Sequence, residues 1–174
     1  MTSEAVRTTL VEALKAGKLI ASCRGRLEFG PRALGARSFL LLADKRERAQ
    51  RLNASLGRDS EMPFGPVMTS NRASELLEGW GSICKDMTGA MTVALPASEL
   101  LRRLAPAAVH RDGTARAQVI DRDFDPPLFD LLSELPGGVC INTSLNLHGE
   151  PIVTSAQQAA RSAQRAGADL LWLD

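Results

Sequence analysis

Gly25-Arg26-Leu27-Glu28-Phe29-Gly30-Pro31-Arg32-Ala33-Leu34-Gly35-Ala36-Arg37-Ser38 is the stretch on which the reading of this chain turns. It follows an apolar, strand-like run and packs three glycines, a proline and three arginines into fourteen residues. No packed helix or central strand uses that mixture. Glycine lets the backbone turn sharply or approach a ligand, and Pro31 fixes one bend. Arg26, Arg32 and Arg37 offer planar forks suited to phosphate or carboxylate. Two readings follow: an arginine-rich surface loop pinned by turn residues, or an anion-binding loop.

Working outward, 174 residues is the size of one domain with one good core. The hydrophobic share of 44% and charged share of 24% are those of a globular, water-facing chain. A net charge of +1 gives no global field toward nucleic acid or membrane. Of the 21 basic residues 17 are arginine, which suits recognition of flat anionic groups. Cys23, Cys84 and Cys140 are scattered and there are only two histidines, so neither a disulfide framework nor a protein-held metal site is expected. The N-terminus lacks an apolar signal core and no run approaches membrane length, so a cytoplasmic location is expected.

Periodicity predicts helices over 4–16, 45–56, 72–79, 98–103, 128–135 and 155–166. Strands are predicted over 18–23, 38–43, 90–95, 115–121, 139–141 and 169–173, with Pro63-Phe64-Gly65-Pro66 as a rigid turn. Alternation without repeats or linkers indicates a single α/β domain over 1–174. Some connections are too short for crossover helices, so the sheet is expected to be twisted, mixed and flanked by helices.

Three further stretches carry polar chemistry. Asp112-Gly113 is a turn signal that sets Arg116 at the start of a strand; the alternative is a plain turn with a surface cation. Asn142-Thr143-Ser144-Leu145-Asn146 follows a short strand, where hydroxyl and amide groups contact ligands or satisfy their own turn. Glu150, in Gly149-Glu150-Pro151, either orients an arginine of the opening loop or is solvated. A phosphate-binding G-x-x-x-x-G-K-[ST] loop is absent, and His110 and His148 read as isolated turn histidines. Any nucleotide must then be held by arginines and a Ser/Asn loop.

Taken together, G-R-L-E-F-G-P-R-A-L-G, D-G-T-A-R and N-T-S-L-N-x-x-G-E-P-I-V, in that order, resemble the C-terminal region of the NodU/CmcH/TobZ-type carbamoyltransferases. The resemblance covers about residues 8–173 and implies a YrdC-like fold. It also implies a site that takes carbamoyl phosphate and ATP, with Mg²⁺ accompanying the nucleotide, and forms carbamoyl adenylate. A separate N-terminal-type carbamoyltransferase subunit, which alone carries a metal centre, would then pass the carbamoyl group to a hydroxyl acceptor. By the same resemblance Arg26, Arg32 and Arg116 are the catalytic arginines. Arg58, Thr143, Ser144 and Asn146 are the nucleotide-binding set, with Ser144-Leu145-Asn146 matching the S-x-N signature.

The chain departs from the family at Leu56, where a lysine is usual, and at Met62, where a second arginine is usual. Each lost charge-assisted contact to phosphate costs about 1.5–3 kcal/mol. Leu56 also pairs at i,i+4 with Leu52, which suits a place in the core. Two functional classes result: half of a split carbamoyltransferase, or a catalytically depleted binding subunit that docks on a transferase domain. An RNA-associated module is disfavoured by the near-neutral charge and by aromatics at 4%.

Overall fold

A computed structural model describes residues 3–59, 62–83 and 85–173. In chain order the elements are α1 (Glu4–Lys15), β1 (Ile20–Cys23), β2 (Arg37–Leu41), α2 (Arg46–Ser55), β3 (Gly65–Thr69), α3 (Ser70–Leu76) and α4 (Lys85–Gly89). They continue with β4 (Leu95–Pro96), α5 (Glu99–Leu104), β5 (Thr114–Ala115), β6 (Gln118–Ile120), α6 (Pro126–Ser133), β7 (Val139–Ser144), α7 (Ala156–Ala166) and β8 (Leu170–Leu173).

Four of the helices start on a side-chain cap that the sequence offers. The hydroxyls of Ser3, Ser98 and Ser155 accept the N–H of Val6, Leu101 and Gln158, and Asp125 accepts that of Leu128. Six strands form one sheet in the order β6-β3-β7-β2-β1-β8, and β4 pairs with β5 apart from it. Within the large sheet β3–β6 and β1–β8 are parallel, while β1–β2, β2–β7 and β3–β7 are antiparallel. The expected mixed sheet flanked by helices is the architecture found.

Alternate residues of each strand feed two cores. Ala21, Phe39, Met68 and Ile141 pack with α2, α3, α5 and α7; Ile20, Leu40, Val67 and Cys140 pack with α1 and α6. Burial on both faces explains why β1 and the Phe39–Leu41 part of β2 read as apolar runs. Each fully buried Leu or Phe contributes about 1.5–3 kcal/mol. Emptying the centre by Phe39→Ala, at 0% exposure, would cost about 3–5 kcal/mol.

The structure corrects four local expectations. Pro63–Pro66 is not a turn: Gly65 and Pro66 open β3, a central strand. β6 pairs only with Val67–Thr69, so the absent Pro66 N–H breaks no bond on that side. Of the strand predicted over 90–95 only Leu95 pairs; residues 85–89 are helical and Met91 takes φ +56. The strand predicted over 115–121 is split between β5 and β6, and β6 is buried throughout. β7 runs six residues, so Asn142, Thr143 and Ser144 belong to the strand itself.

Candidate functional site

The opening loop joins β1 to β2 and is folded around one carboxylate. Glu28 accepts the backbone N–H groups of Leu34 at 2.8 Å, Ala36 at 2.5 Å and Arg37 at 3.2 Å. Burial raises its carboxyl above the usual range, against the opposing pull of those donors and of the Arg37 guanidinium. Arg37 is not a ligand donor. It is buried and spends its guanidinium on the carbonyls of Arg24, Gly25 and Ala36. Arg24 is likewise structural, forked onto Asp125 at 2.6 and 3.0 Å and stacked 3.9 Å from the Trp172 ring centroid. These anchors fix the return arm of the loop and set Pro31, Arg32 and Ala33 in the wall of a cavity of about 180 Å³.

Two other segments close that cavity. Past α2, Gly57 turns at φ +70 and Arg58 follows, its N–H bonded to the Asn53 carbonyl at 2.8 Å. The Arg58 guanidinium lies 4.4 Å from the Phe64 ring centroid and donates to Thr143 Oγ1 at 3.2 Å and to Met62 Sδ at 3.1 Å. Arg116 enters because Gly65 leaves room: a Cβ at Gly65 would stand 2.6 Å from the Arg116 carbonyl oxygen. Strand alternation sends Thr143 toward the α2 face, where it meets Arg58. Asn142 faces the other side, where its Nδ2 donates to Ala33 O at 2.9 Å and Gln118 Oε1 at 2.7 Å.

Arg32, Arg58, Arg116, Thr143, Ser144 and Asn146 thus line one cavity, with no Asp or Glu among its described lining residues. Like charges gather there with no carboxylate among the described lining residues. Desolvation, and then the neighbouring guanidinium, lowers the pKa of Arg58 (through Arg116) and of Arg116 (through Arg32). A concave surface of crowded, partly dehydrated arginines favours a multiply charged anion.

Arg26 is exposed and is not among the lining residues. Glu150 orients no arginine of the loop; it pairs with Arg165 on α7 at 2.6 Å. The Asn146 amide fixes its own turn through the carbonyls of Leu147 and Glu150. Leu56 is both core and wall, at 1% exposure. Asn142 is not in the site set that the resemblance implies and His148 reads as an isolated turn histidine, yet both line the cavity. Their membership of the Asn142–Gly149 motif was the available signal. Among the described residues no three His, Cys, Asp or Glu side chains gather to hold a metal ion, and no helix is long and apolar enough to cross a membrane.

Residues 11–174 match the carbamoyltransferase C-terminus family. This chain belongs to that family. Nodulation protein U of Azorhizobium caulinodans is 37% identical over 170 residues, covering 94% of the chain and 30% of that protein. The 3'-hydroxymethylcephem-O-carbamoyltransferase of Streptomyces clavuligerus is 33% identical over 161 residues, covering 87% and 29%. This carbamoyltransferase C-terminal domain therefore spans about a third or less of the length of these curated relatives. Full-length HypF, crystallised in a phosphate- and nucleotide-bound form, superposes with a TM-score of 0.70 at 18% identity over 97% of the chain and 24% of HypF. That likeness establishes the fold, which is YrdC-like.

Proposed function

We propose that this carbamoyltransferase C-terminal domain activates the carbamoyl group. Carbamoyl phosphate loses its phosphate to water, leaving carbamate. A carbamate oxygen attacks the α-phosphorus of ATP, the bond from that phosphorus to the pyrophosphate oxygen breaks, and carbamoyl adenylate forms. The observation that carries the reading is the convergence of Arg32, Arg58 and Arg116 on one cavity beside Thr143 and Ser144, with no described carboxylate in its wall. Adenylation needs charge neutralised and groups aligned rather than a nucleophilic side chain, and this wall supplies both. Arg58, Thr143, Ser144 and Asn146 hold the nucleotide, while Arg32 and Arg116 neutralise the transferring groups. Arg26, outside the wall, is reserved for a closed state or a partner. Mg²⁺ rides on the ATP phosphates, since the described wall offers it no carboxylate.

Transfer to a hydroxyl acceptor falls to a separate N-terminal-type carbamoyltransferase subunit, which bears the metal centre. An acyl adenylate released to water hydrolyses, so the two sites must share an enclosed path. Leu27 and Phe29 support a docking surface there. They flank the anchored Glu28 and stand 53% and 102% exposed on the loop that supplies Arg32.

A second reading, a binding subunit that no longer adenylates, is favoured by one observation. The position where the family has lysine is a buried leucine, and Met62 Sδ occupies the Arg58 Nε. The test is to incubate the purified chain with ATP, Mg²⁺ and carbamoyl phosphate and follow pyrophosphate, then add hydroxyl acceptors. Pyrophosphate without carbamoylated product is expected. Ligand binding without pyrophosphate selects the second reading, and carbamoylated product from the chain alone refutes the need for a partner.

A further inference from the structure

The cavity wall holds polar atoms that the protein leaves unsatisfied. Arg116 Nε, Asn142 Oδ1 and Asn146 Oδ1 are shielded from water and have no hydrogen-bond partner. Buried polar atoms are nearly always paired, so three together in one wall call for an explanation. Asn142 is the deepest of these side chains, at 2% exposure.

Its orientation is dictated. The carbonyls of Ala33 and Leu34 can only accept. Gln118 therefore turns its Nε2 to Leu34 O, at 2.7 Å, and presents Oε1 to Asn142. Asn142 must then offer Nδ2 both to that oxygen and to Ala33 O, at 2.7 and 2.9 Å. Its Oδ1 is left over as an acceptor, held rigidly in a wall otherwise dominated by guanidinium donors.

We propose that Asn142 is a specificity-determining residue whose Oδ1 accepts an N–H of the carbamoyl amide. This rests on the adenylation reading and deepens it. The phosphates and carbonyl of the substrates bring acceptors, which the arginines meet. Three groups bring donors: the carbamoyl amide, the exocyclic amine of adenine and the ribose hydroxyls. The depth of Asn142 and the small volume favour the carbamoyl group. The Met91 thioether lies 3.8 Å from the Asn142 amide nitrogen, and Met91 is the one non-glycine among the described residues with a positive φ. Its unbranched, flexible side chain is the part that swings aside as the ligand enters.

The experiment is calorimetric titration with carbamoyl phosphate and with acetyl phosphate, in which a methyl replaces the amide nitrogen. The wild-type chain should prefer carbamoyl phosphate by about 10- to 100-fold, the worth of one hydrogen bond to a desolvated acceptor. Asn142→Ala should reduce that preference to within about twofold. Arg116→Ala should weaken both ligands alike and leave the ratio unchanged. Where Asn142→Ala fails to fold, Gln118→Met releases the amide without removing its oxygen and should lower the ratio.

Equal wild-type affinities, or a preference that survives Asn142→Ala, overturn the assignment while leaving adenylation standing. Failure of carbamoyl phosphate to bind the wild-type chain overturns the functional reading itself. If Asn142→Ala spares the carbamoyl preference but erases a preference for ATP over GTP, the oxygen serves adenine and the assignment is wrong.

Discussion

Replacing Leu56 by lysine tests whether the wall of the cavity is built as described. Leu56 is 1% exposed, belongs to the core beneath α2 and also lines the cavity. Truncating such a leucine to alanine costs about 2–5 kcal/mol. Lysine keeps an aliphatic stem that covers much of the same surface, so the loss should be nearer 1–3 kcal/mol, provided the ammonium reaches the cavity. At roughly 2–4 °C per kcal/mol for a domain of this size, melting should fall by about 2–12 °C. The new cation joins Arg58 at the arginine-lined wall, and if ATP phosphates sit there as proposed, one charge-assisted contact of about 1.5–3 kcal/mol should tighten ATP about 10- to 100-fold. The assay pairs calorimetric titration of ATP with thermal unfolding, on Leu56→Lys and on Leu56→Met as a size control. A mutant that loses several kcal/mol and gains no affinity refutes the reasoning, because its ammonium is then trapped in the core.

Arg116→Ala and Ser144→Ala should each weaken ATP binding by roughly 10-fold or more while moving the melting temperature little; unchanged titrations in both would place the nucleotide elsewhere. Asp125→Asn keeps the helix cap but strands the Arg24 guanidinium, both partners being largely buried, and should cost about 3–5 kcal/mol by denaturant titration; a loss below 1 kcal/mol would show Arg24 to be solvated. Phe29→Asp should leave thermal unfolding unchanged yet abolish co-purification with a transferase subunit, and co-purification that persists would move the docking surface off this loop. Burial pushes the Cys140 thiol well above its ordinary range, and Cys23 is buried too, so alkylation of both at pH 8 should track global unfolding; modification in the native state would contradict that burial.

Much of the fold was legible because its signals are local. Ser3, Ser98 and Ser155 announce their helices, and Gly17 and Gly167 end two of them at φ +80 and +71. What escaped was decided by distant chain. β3 begins with glycine and proline, which read as a turn, yet Gly65 is needed because the Arg116 backbone passes over it. β7 looked three residues long because Asn142, Thr143 and Ser144 are polar. They are nevertheless strand residues, since Ala33 O and Gln118 Oε1 accept the Asn142 amide N–H groups, and Arg58 meets Thr143 from 85 positions away.

The site was legible as a set of residue types, and less so as a division of labour. Arg26, Arg32 and Arg37 lie within twelve positions of one motif and carry the same group. One is exposed, one lines the cavity, and one is buried holding three carbonyls. Nothing in local spacing separates these fates, because they depend on where Glu28 gathers the backbone N–H groups of residues 34, 36 and 37. Once that ring closes, Arg37 points back under the loop and Arg32 is carried to the wall facing Arg116. The same closure leaves Leu27 and Phe29, the neighbours of Glu28, with no core to enter. A single inward carboxylate thus presents a cationic wall on one side of the loop and an apolar tip on the other. That pairing is what the proposed reading requires, in which another protein surface covers the activating site before its product is released.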